Sequence, residues 1–139
     1  MPVNVLLPPG IYYVGDISYV LSEEAYHWWV DENQGEPGLY HYGNGSFVVD
    51  NTRYGDGMYK AAEGSSHEKL GNSLFMGYGV DVGVIGIVSK DLITKPVSEG
   101  WQLGTLHRFT RPGRFRSDDG RFEITSGRFR LVINTDEEE

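Results

Sequence analysis

The sequence predicts an α+β fold dominated by β-strands: a mostly antiparallel rolled sheet or open barrel, with one N-terminal helix and a C-terminal β-meander. Three observations support this prediction. Nineteen of the 139 residues are glycine, about twice the usual share, and their dispersal is typical of tight turns between short strands. One segment has the end signals of an α-helix. The last third of the chain repeats a strand-and-turn unit.

The chain length indicates one domain, since single cores typically span about 100–200 residues. Apolar residues make up 39% of the chain and aromatic residues 13%, which is enough to form a packed core. We expect this domain to cover residues 1–135. The four acidic residues at 136–139 predict a disordered, solvated tail.

The N-terminal helix is predicted to begin after Ser22, a favourable N-cap residue. Glu23 and Glu24 follow in the first turn, where the helix dipole favours negative charge. Apolar residues then recur at spacings of three and four and form one face: Tyr26, Trp29 and Val30. Gly35 predicts the end of the helix.

Short apolar and β-branched runs predict the strands that precede the meander. Residues 11–14 form the first of these runs. Residues 47–49 and 58–61 flank a turn at residues 55–57, and together they predict a β-hairpin. Residues 84–88 are almost continuously apolar, which favours a central strand that is buried on both faces, with its two isoleucines in the core.

The C-terminal third repeats Gly-Arg-Phe every seven residues, beginning at Gly113, Gly120 and Gly127. Seven residues correspond to one short strand and one turn, so the repeat predicts a β-meander rather than a solenoid. Apolar residues alternate with polar ones, as a sheet with one buried face requires: Phe115, Phe122, Ile124, Phe129, Leu131 and Ile133. The pairs 119–120 and 126–127 are the predicted turns.

Several classes of protein are excluded by what the sequence lacks. There is no cysteine, so disulfide frameworks and thiolate chemistry are excluded. The N-terminus has no signal-peptide pattern, and no segment reaches the roughly 18 apolar residues of a membrane helix. We therefore expect a cytoplasmic location and no membrane partner. The four histidines lack zinc-ligand spacing, and no phosphate-binding loop or serine-nucleophile motif is present, so no metal and no cofactor are expected.

Charge is unevenly distributed along the chain. The formal net charge is −8: residues 1–107 carry −8, residues 108–130 carry +4 and the remaining residues carry −4. This balance argues against nucleic acid as a partner. The arginines of the basic stretch are candidates for binding an anion, above all Arg114, Arg116 and Arg128. The alternative is that they balance the chain's own acidic residues as exposed ion pairs.

Three aspartates lie beside glycines and shortly after a tyrosine: Asp16, Asp56 and Asp81. If the fold brought them together, their carboxylates could bind Mg²⁺ or Ca²⁺, or share acid and base roles. They are therefore the candidate catalytic residues. The alternative is that turns simply require Asp and Gly at these positions. Convergence on one cleft would favour an enzyme, whereas carboxylates that cap their own turns would not.

The tyrosines of these three segments and Trp28 are candidate ligand-binding residues: Tyr13, Tyr54 and Tyr78. Eleven of the 18 aromatic residues precede Lys60, which is more than one contact between a helix and a sheet needs. Amphipathic rings suit the wall of a half-solvated pocket. The alternative is that these rings belong to the core.

Three ordered motifs resemble those of a known family. They are Tyr-x-Gly-Asp within residues 9–16, Tyr-Gly-Asp-Gly at 54–57, and Val-Asp-x-Gly-x-Ile-Gly-Ile-Val at 80–88. On these motifs the chain resembles an uncharacterised family of small β-rich proteins of phages and bacteria. The resemblance covers residues 9–93 and leaves the arginine-rich meander unmatched. The resemblance implies that the three Asp-Gly segments are common features of that family. It implies no activity.

The absence of a complete catalytic set favours a non-catalytic domain that binds a small ligand or a protein. The alternative is a small metal-assisted or carboxylate-dependent hydrolase acting on a nucleotide, a phosphate ester or a glycoside. In that case the three aspartates would be its metal ligands or acid–base groups. The sequence leaves both functions open, and with them the question of whether the protein is an enzyme.

Overall fold

The computed structural model describes residues 3–53, 57–59, 61–63, 69–70, 78–80, 83–93 and 104–135. These ranges contain thirteen β-strands, one α-helix and two 3-10 turns. In chain order the strands are β1 Val3–Leu7, β2 Gly10–Gly15, β3 Gly38–Tyr42, β4 Gly45–Asn51, β5 Gly57–Tyr59, β6 Ala61–Glu63, β7 Lys69–Leu70, β8 Tyr78–Val80, β9 Val84–Ser89, β10 Thr105–Phe109, β11 Gly113–Asp118, β12 Arg121–Ser126 and β13 Phe129–Asn134. The helix α1 is Glu23–Asn33, and the 3-10 turns are Ile17–Tyr19 and Lys90–Leu92.

The strands form two main antiparallel sheets. The outer sheet has five strands in the order β1-β11-β12-β13-β6, and the central sheet has six in the order β3-β4-β9-β2-β10-β7. Strands β5 and β8 pair separately. Within the described residues both main sheets are open. The predicted β-dominated, antiparallel α+β fold with one helix is therefore confirmed, in the form of stacked sheets.

The central sheet is buried on both faces. One face packs against the outer sheet in a cluster that includes Val14 and Phe122. The other face packs against α1 in a cluster that includes Trp29. Strand β9 contributes to both clusters, because its two isoleucines face the outer sheet while Val84 and Val88 face α1. The predicted central strand is thus confirmed, and the molecule has three layers: α1, central sheet, outer sheet.

Helix α1 begins and ends close to its predicted limits. The Ser22 Oγ accepts a hydrogen bond of 3.1 Å from the backbone N–H three residues later. At the other end Gln34 adopts the left-handed conformation, with φ 52°, and the N–H of Gly35 donates to the carbonyl of Trp29 at 3.0 Å. Across the described ranges, no helix combines the length and the apolar composition that crossing a membrane requires.

Strands β11, β12 and β13 form the predicted meander. Asp119 and Gly120 have φ values of 51° and 85°, which identifies a two-residue turn whose twist matches the flanking strands. All six apolar residues predicted to face the core are buried. The second turn differs from its prediction. Ser126 still pairs with Phe129, so the turn is formed by residues 127–128, where the glycine supplies a φ of 57°.

The predicted hairpin between residues 47–49 and 58–61 is wrong. Strand β4 pairs with β3 across a short turn and with β9 on its other edge. Strand β5 pairs instead with β8, and β6 with β13. Because β3 and β9 occupy both hydrogen-bonding edges of β4, β5 cannot pair with it. Of the predicted turn at 55–57, residues 55 and 56 lie outside the described residues.

Three glycines lie side by side across the central sheet. Gly15 of β2 pairs with Gly86 of β9, and the register of β10 places Gly104 on the other side of Gly15. The Tyr13 ring covers two of them: a Cβ added at Gly15 would lie 2.6 Å from the Tyr13 hydroxyl oxygen. A Cβ added at Gly86 would collide with a carbonyl oxygen of β4 and with a methyl group of Ile17. The glycines thus let bulky side chains approach the sheet backbone.

Candidate functional site

Asp16 follows β2 and caps the first 3-10 turn. Its Oδ1 accepts hydrogen bonds from the backbone N–H of Ser18 at 2.8 Å and from the Ser18 hydroxyl at 2.7 Å. Asp16 is fully buried, so these bonds offset the cost of removing the carboxylate from water. Its position is the one that the turn interpretation predicts. Asp56 and Asp81 lie outside the described residues, so the alternative in which the three carboxylates converge stays a hypothesis.

The hydroxyl group of Tyr13 is buried near Asp16. Among the described residues, the Tyr13 hydroxyl is the only buried polar side-chain atom that has no hydrogen-bond partner. Burial raises the pKa of Tyr13 well above its ordinary value, and the nearby Asp16, Tyr19 and Tyr78 raise it further. The phenol therefore stays protonated and can donate a hydrogen bond. The structure thus brings together three residues that the sequence singles out, while Tyr54 lies outside the described part of the chain.

A chain of buried hydrogen bonds runs from Tyr78 into β10. The Tyr78 hydroxyl lies 2.7 Å from the Thr105 Oγ1, which in turn lies 2.7 Å from the His107 Nε2. All three residues are buried. The centroid of the imidazole ring lies 5.2 Å from that of the Phe129 ring. Sequence reasoning missed Thr105 and His107. The available signal was their alternation with Phe109, which is typical of a half-buried strand.

The two buried phenols are expected to respond in opposite ways to loss of the hydroxyl. Tyr13→Phe removes an unpaired buried group, so the free energy of unfolding should stay unchanged or rise by up to about 1–3 kcal/mol. Tyr78→Phe deprives Thr105 of a partner and should lower it by about 1 kcal/mol or more. Urea denaturation of both variants measures the difference. Equal destabilisation by the two changes would contradict the unpaired state of the Tyr13 hydroxyl.

Trp28 lies on α1 and is half-buried. Its ring centroid is 5.9 Å from that of Tyr40 and 5.2 Å from that of Tyr42, distances at which aromatic pairs attract each other. Tyr40 stacks in turn on Phe47. These rings join α1 to β3 and β4, and a role for Trp28 in ligand binding stays a prediction.

An open cleft of about 590 Å³ lies at one end of the central sheet. Three turns form it: the turn between β1 and β2, the turn between β3 and β4, and the 3-10 turn after β9. The lining residues are 8–12, 41, 43–46 and 89–91. We call this site the turn cleft. Its three walls come from distant parts of the sequence, so no local pattern identifies it.

Three titratable side chains are exposed along the turn cleft: His41, Lys90 and Asp91. The Tyr12 hydroxyl donates to the carbonyl of Pro8 at 2.7 Å. Burial raises the pKa of Tyr12, and the charge of Asp91 raises it further. The cleft therefore presents an ammonium group, a carboxylate and an imidazole on one concave surface.

The floor of the turn cleft is tightly packed. The backbone N–H of Ser46 donates to the Ser89 Oγ at 3.0 Å. Ser89 is the N-cap residue of the 3-10 turn Lys90–Leu92, but its side chain makes no capping bond and accepts from Ser46 instead. A Cβ added at Gly45 would lie 2.5 Å from the Ser89 Oγ and 2.6 Å from the Leu92 Cγ. The first residue of β4 thus lies in close contact with the 3-10 turn after β9.

The outward side of the outer sheet carries charged residues at alternating positions of β11, β12 and β13. We call this surface the basic face, and its charged members are Arg114, Arg116, Arg121, Arg130, Asp118 and Glu123. Glu123 holds two of the arginines: its carboxylate lies 3.3 Å from the Arg116 guanidinium and accepts a 2.8 Å hydrogen bond from the Arg130 Nε. This pairing supports the interpretation that the arginines balance the chain's own acidic residues.

The three candidate anion-binding arginines do not all lie on the basic face. Arg114 and Arg116 lie on the basic face, where Arg114 donates to the Asn4 Oδ1 at 2.6 Å. Arg128 lies in the turn between β12 and β13. A groove of about 360 Å³ runs beside Arg116 and Arg121. Anion binding on this surface stays a prediction.

Removing the Glu123 carboxylate is expected to change the pH dependence of stability. The hydrogen bond from Arg130 lowers the pKa of Glu123 against the opposing effect of burial, and the arginine charges lower it further. A lowered pKa stabilises the fold above the unfolded-state value near 4.5, and this contribution is lost as the pH falls through the folded-state value. Glu123→Gln should therefore cost about 1 kcal/mol or less at neutral pH, and the difference should shrink in acid.

Urea denaturation of wild type and variant from neutral pH into acid measures this difference. Glu32→Gln, on the exposed side of α1, is the control and should show a smaller and flatter difference. A Glu123→Gln difference that is the same at every pH would contradict the ion pairing.

No group of three or more His, Asp or Glu side chains with metal-binding geometry occurs among the described residues. Comparison of the chain with family models, curated proteins and solved structures finds no match. The resemblance to the phage and bacterial family therefore stays a prediction.

Proposed function

We propose that the chain is a non-catalytic binding domain that takes a small polar ligand in the turn cleft. The observation that carries this proposal is the cleft itself. Its volume of about 590 Å³ falls within the range of about 300–1,000 Å³ that is typical of small-molecule sites. Sites of this kind combine apolar walls with a few polar groups that orient the ligand. Here Pro8, Pro9 and Ile11 provide apolar wall, and the three titratable side chains provide the polar groups.

The packing beneath the cleft favours a preformed site. The Ser46–Ser89 hydrogen bond joins two of the three turns, and the bond from Tyr12 to Pro8 holds the third. A site whose walls are already fixed loses little conformational entropy when a ligand binds. Binding energy is then available for affinity rather than for ordering the turns.

The same contacts favour binding over catalysis. Serine, histidine and aspartate all line the cleft, but within the described part of the chain no hydrogen bond joins His41 to Asp91 or to either serine. A nucleophile needs such a contact with its base. The Ser89 oxygen accepts from the backbone N–H of Ser46, a donor that cannot act as its base. Asp16, the candidate catalytic residue that the structure describes, is engaged in its own turn.

A thermal-shift screen with sugars, nucleotides, amino acids and divalent cations tests the proposal. A ligand that binds only the folded state at about 100 times its Kd adds roughly 2.7 kcal/mol to the free energy of unfolding. We expect one class of compound to raise the Tm of the wild type and to lose this effect in the triple variant His41→Ala/Lys90→Ala/Asp91→Ala. Glu32→Ala, on the exposed side of α1, is the matched control and should keep the full shift.

Two results would refute the proposal. A ligand-induced shift that survives in the triple variant would place the ligand elsewhere. No shift with any class of compound would leave the turn cleft without a small-molecule role.

A further inference from the structure

The two outer layers of the molecule expose opposite charge. The exposed side of α1 carries four acidic residues, which we call the acidic face: Glu23, Glu24, Asp31 and Glu32. The sequence of α1 contains neither lysine nor arginine. The basic face of the outer sheet carries four arginines against two acidic residues, a net charge of +2. Charge complementarity therefore exists between two surfaces of one chain.

The acidic face and the basic face cannot contact each other within one molecule. Helix α1 packs on one side of the central sheet and the outer sheet packs on the other. The acidic face and the basic face therefore point in opposite directions. Each can meet its complement only on a second molecule.

Each face also exposes one aliphatic side chain. Leu6 is 61% exposed and stands beside Arg114 in the register of β1 with β11. Val30 is 41% exposed on α1. A contact between the two faces can therefore bury apolar surface at the same time as it pairs charges, which is the composition of a specific interface rather than of a purely electrostatic one.

We propose that copies of this chain associate head to tail, with the acidic face of one molecule docked on the basic face of the next. A two-fold dimer through either face would place like charges together, so the contact must be heterologous. Because the two faces lie on opposite sides, the contact does not close after two copies and propagates into a linear assembly.

The net charge of −8 does not prevent this association. At physiological ionic strength the Debye length is about 8 Å, so repulsion between distant parts of two copies is largely screened. The charges that meet within the contact are much closer than this. The association should therefore weaken strongly when salt is raised to about 1 M, where the Debye length falls to about 3 Å.

Sedimentation velocity and light scattering over a concentration series of the full chain test this proposal. At about 0.1 M salt, where the Debye length is about 10 Å, the weight-average mass should climb past twice the 15.6 kDa of the monomer without a plateau. At high salt it should return to the monomer value. A mass that stays at the monomer value under both conditions would overturn the proposal.

Charge-reversal variants identify the contact surfaces. Arg114→Glu/Arg121→Glu changes the basic face without removing the two arginines that hold Glu123. Asp31→Lys/Glu32→Lys changes the acidic face near the C-terminus of α1, where positive charge favours the helix. Each variant alone should remain monomeric, and an equimolar mixture should associate again because its faces are complementary.

The mixture also separates lost association from lost folding, since an unfolded variant could not restore it. Association that persists in either single variant, or a mixture that stays monomeric although both variants melt cooperatively, would overturn the proposed contact.

Discussion

Ile87→Ala is expected to lower the free energy of unfolding by about 2–5 kcal/mol, the usual cost of truncating a well-packed aliphatic side chain to alanine. Ile87 is 1% exposed and lies on β9, the strand that contributes to both core clusters. Its side chain faces the outer sheet, so the truncation leaves a cavity between the two sheets.

Urea denaturation measures this effect, with Leu39→Ala as the control. Leu39 is 37% exposed on β3, at the edge of the central sheet, and its truncation should cost much less. A loss below about 0.5 kcal/mol at Ile87, the size of a typical surface substitution, would mean that β9 is not a central strand.

Gly86→Ala is expected to destabilise the fold by about 1–3 kcal/mol or more, as overpacking of a tight interior does. The added methyl group would collide with the carbonyl oxygen of Val48 and with the Ile17 side chain. The carbonyl belongs to the ladder between β4 and β9, so it cannot move away without weakening the central sheet. The smallest possible side chain is therefore already too large here.

Gly43→Asn is the control for this variant. Gly43 lies in the open turn between β3 and β4, where an added Cβ meets nothing within 4 Å, and asparagine tolerates its left-handed conformation. Urea denaturation should show a change of less than about 0.5 kcal/mol for this surface position. Equal stability of Gly86→Ala and wild type would contradict the close approach of β4.

Features that depend on a few neighbouring residues could be predicted from the sequence. The capping of α1 by Ser22 is one example, because the hydroxyl and the N–H that it binds are three residues apart. The turn at Asp119 and Gly120 is another, because their backbone conformations alone determine it. The burial of β9 follows from its own continuous apolar run.

Features that depend on distant partners could not be predicted in this way. Residues 47–49 do form a strand, as their β-branched and aromatic side chains predict. That this strand pairs with β3 and β9 rather than with β5 depends on the whole sheet. The same holds for the turn cleft, whose walls meet only after three separate turns are in place. The hydrogen bond between Tyr78 and Thr105 is a third case, because it joins β8 to β10 across 27 residues of chain.

The position of β1 in the outer sheet affects how the chain folds while it is being synthesised. The partner of Val5 is Phe115, so β1 cannot pair in the outer sheet until a strand much later in the chain has been made. Contacts between such distant residues are slow to form, because closing the intervening chain costs entropy before any contact rewards it. Until β11, β12 and β13 emerge, the face of the central sheet that they cover stays exposed to other apolar chains. Newly made protein should therefore depend on chaperones or on rapid completion of synthesis more than a protein with mostly local contacts does.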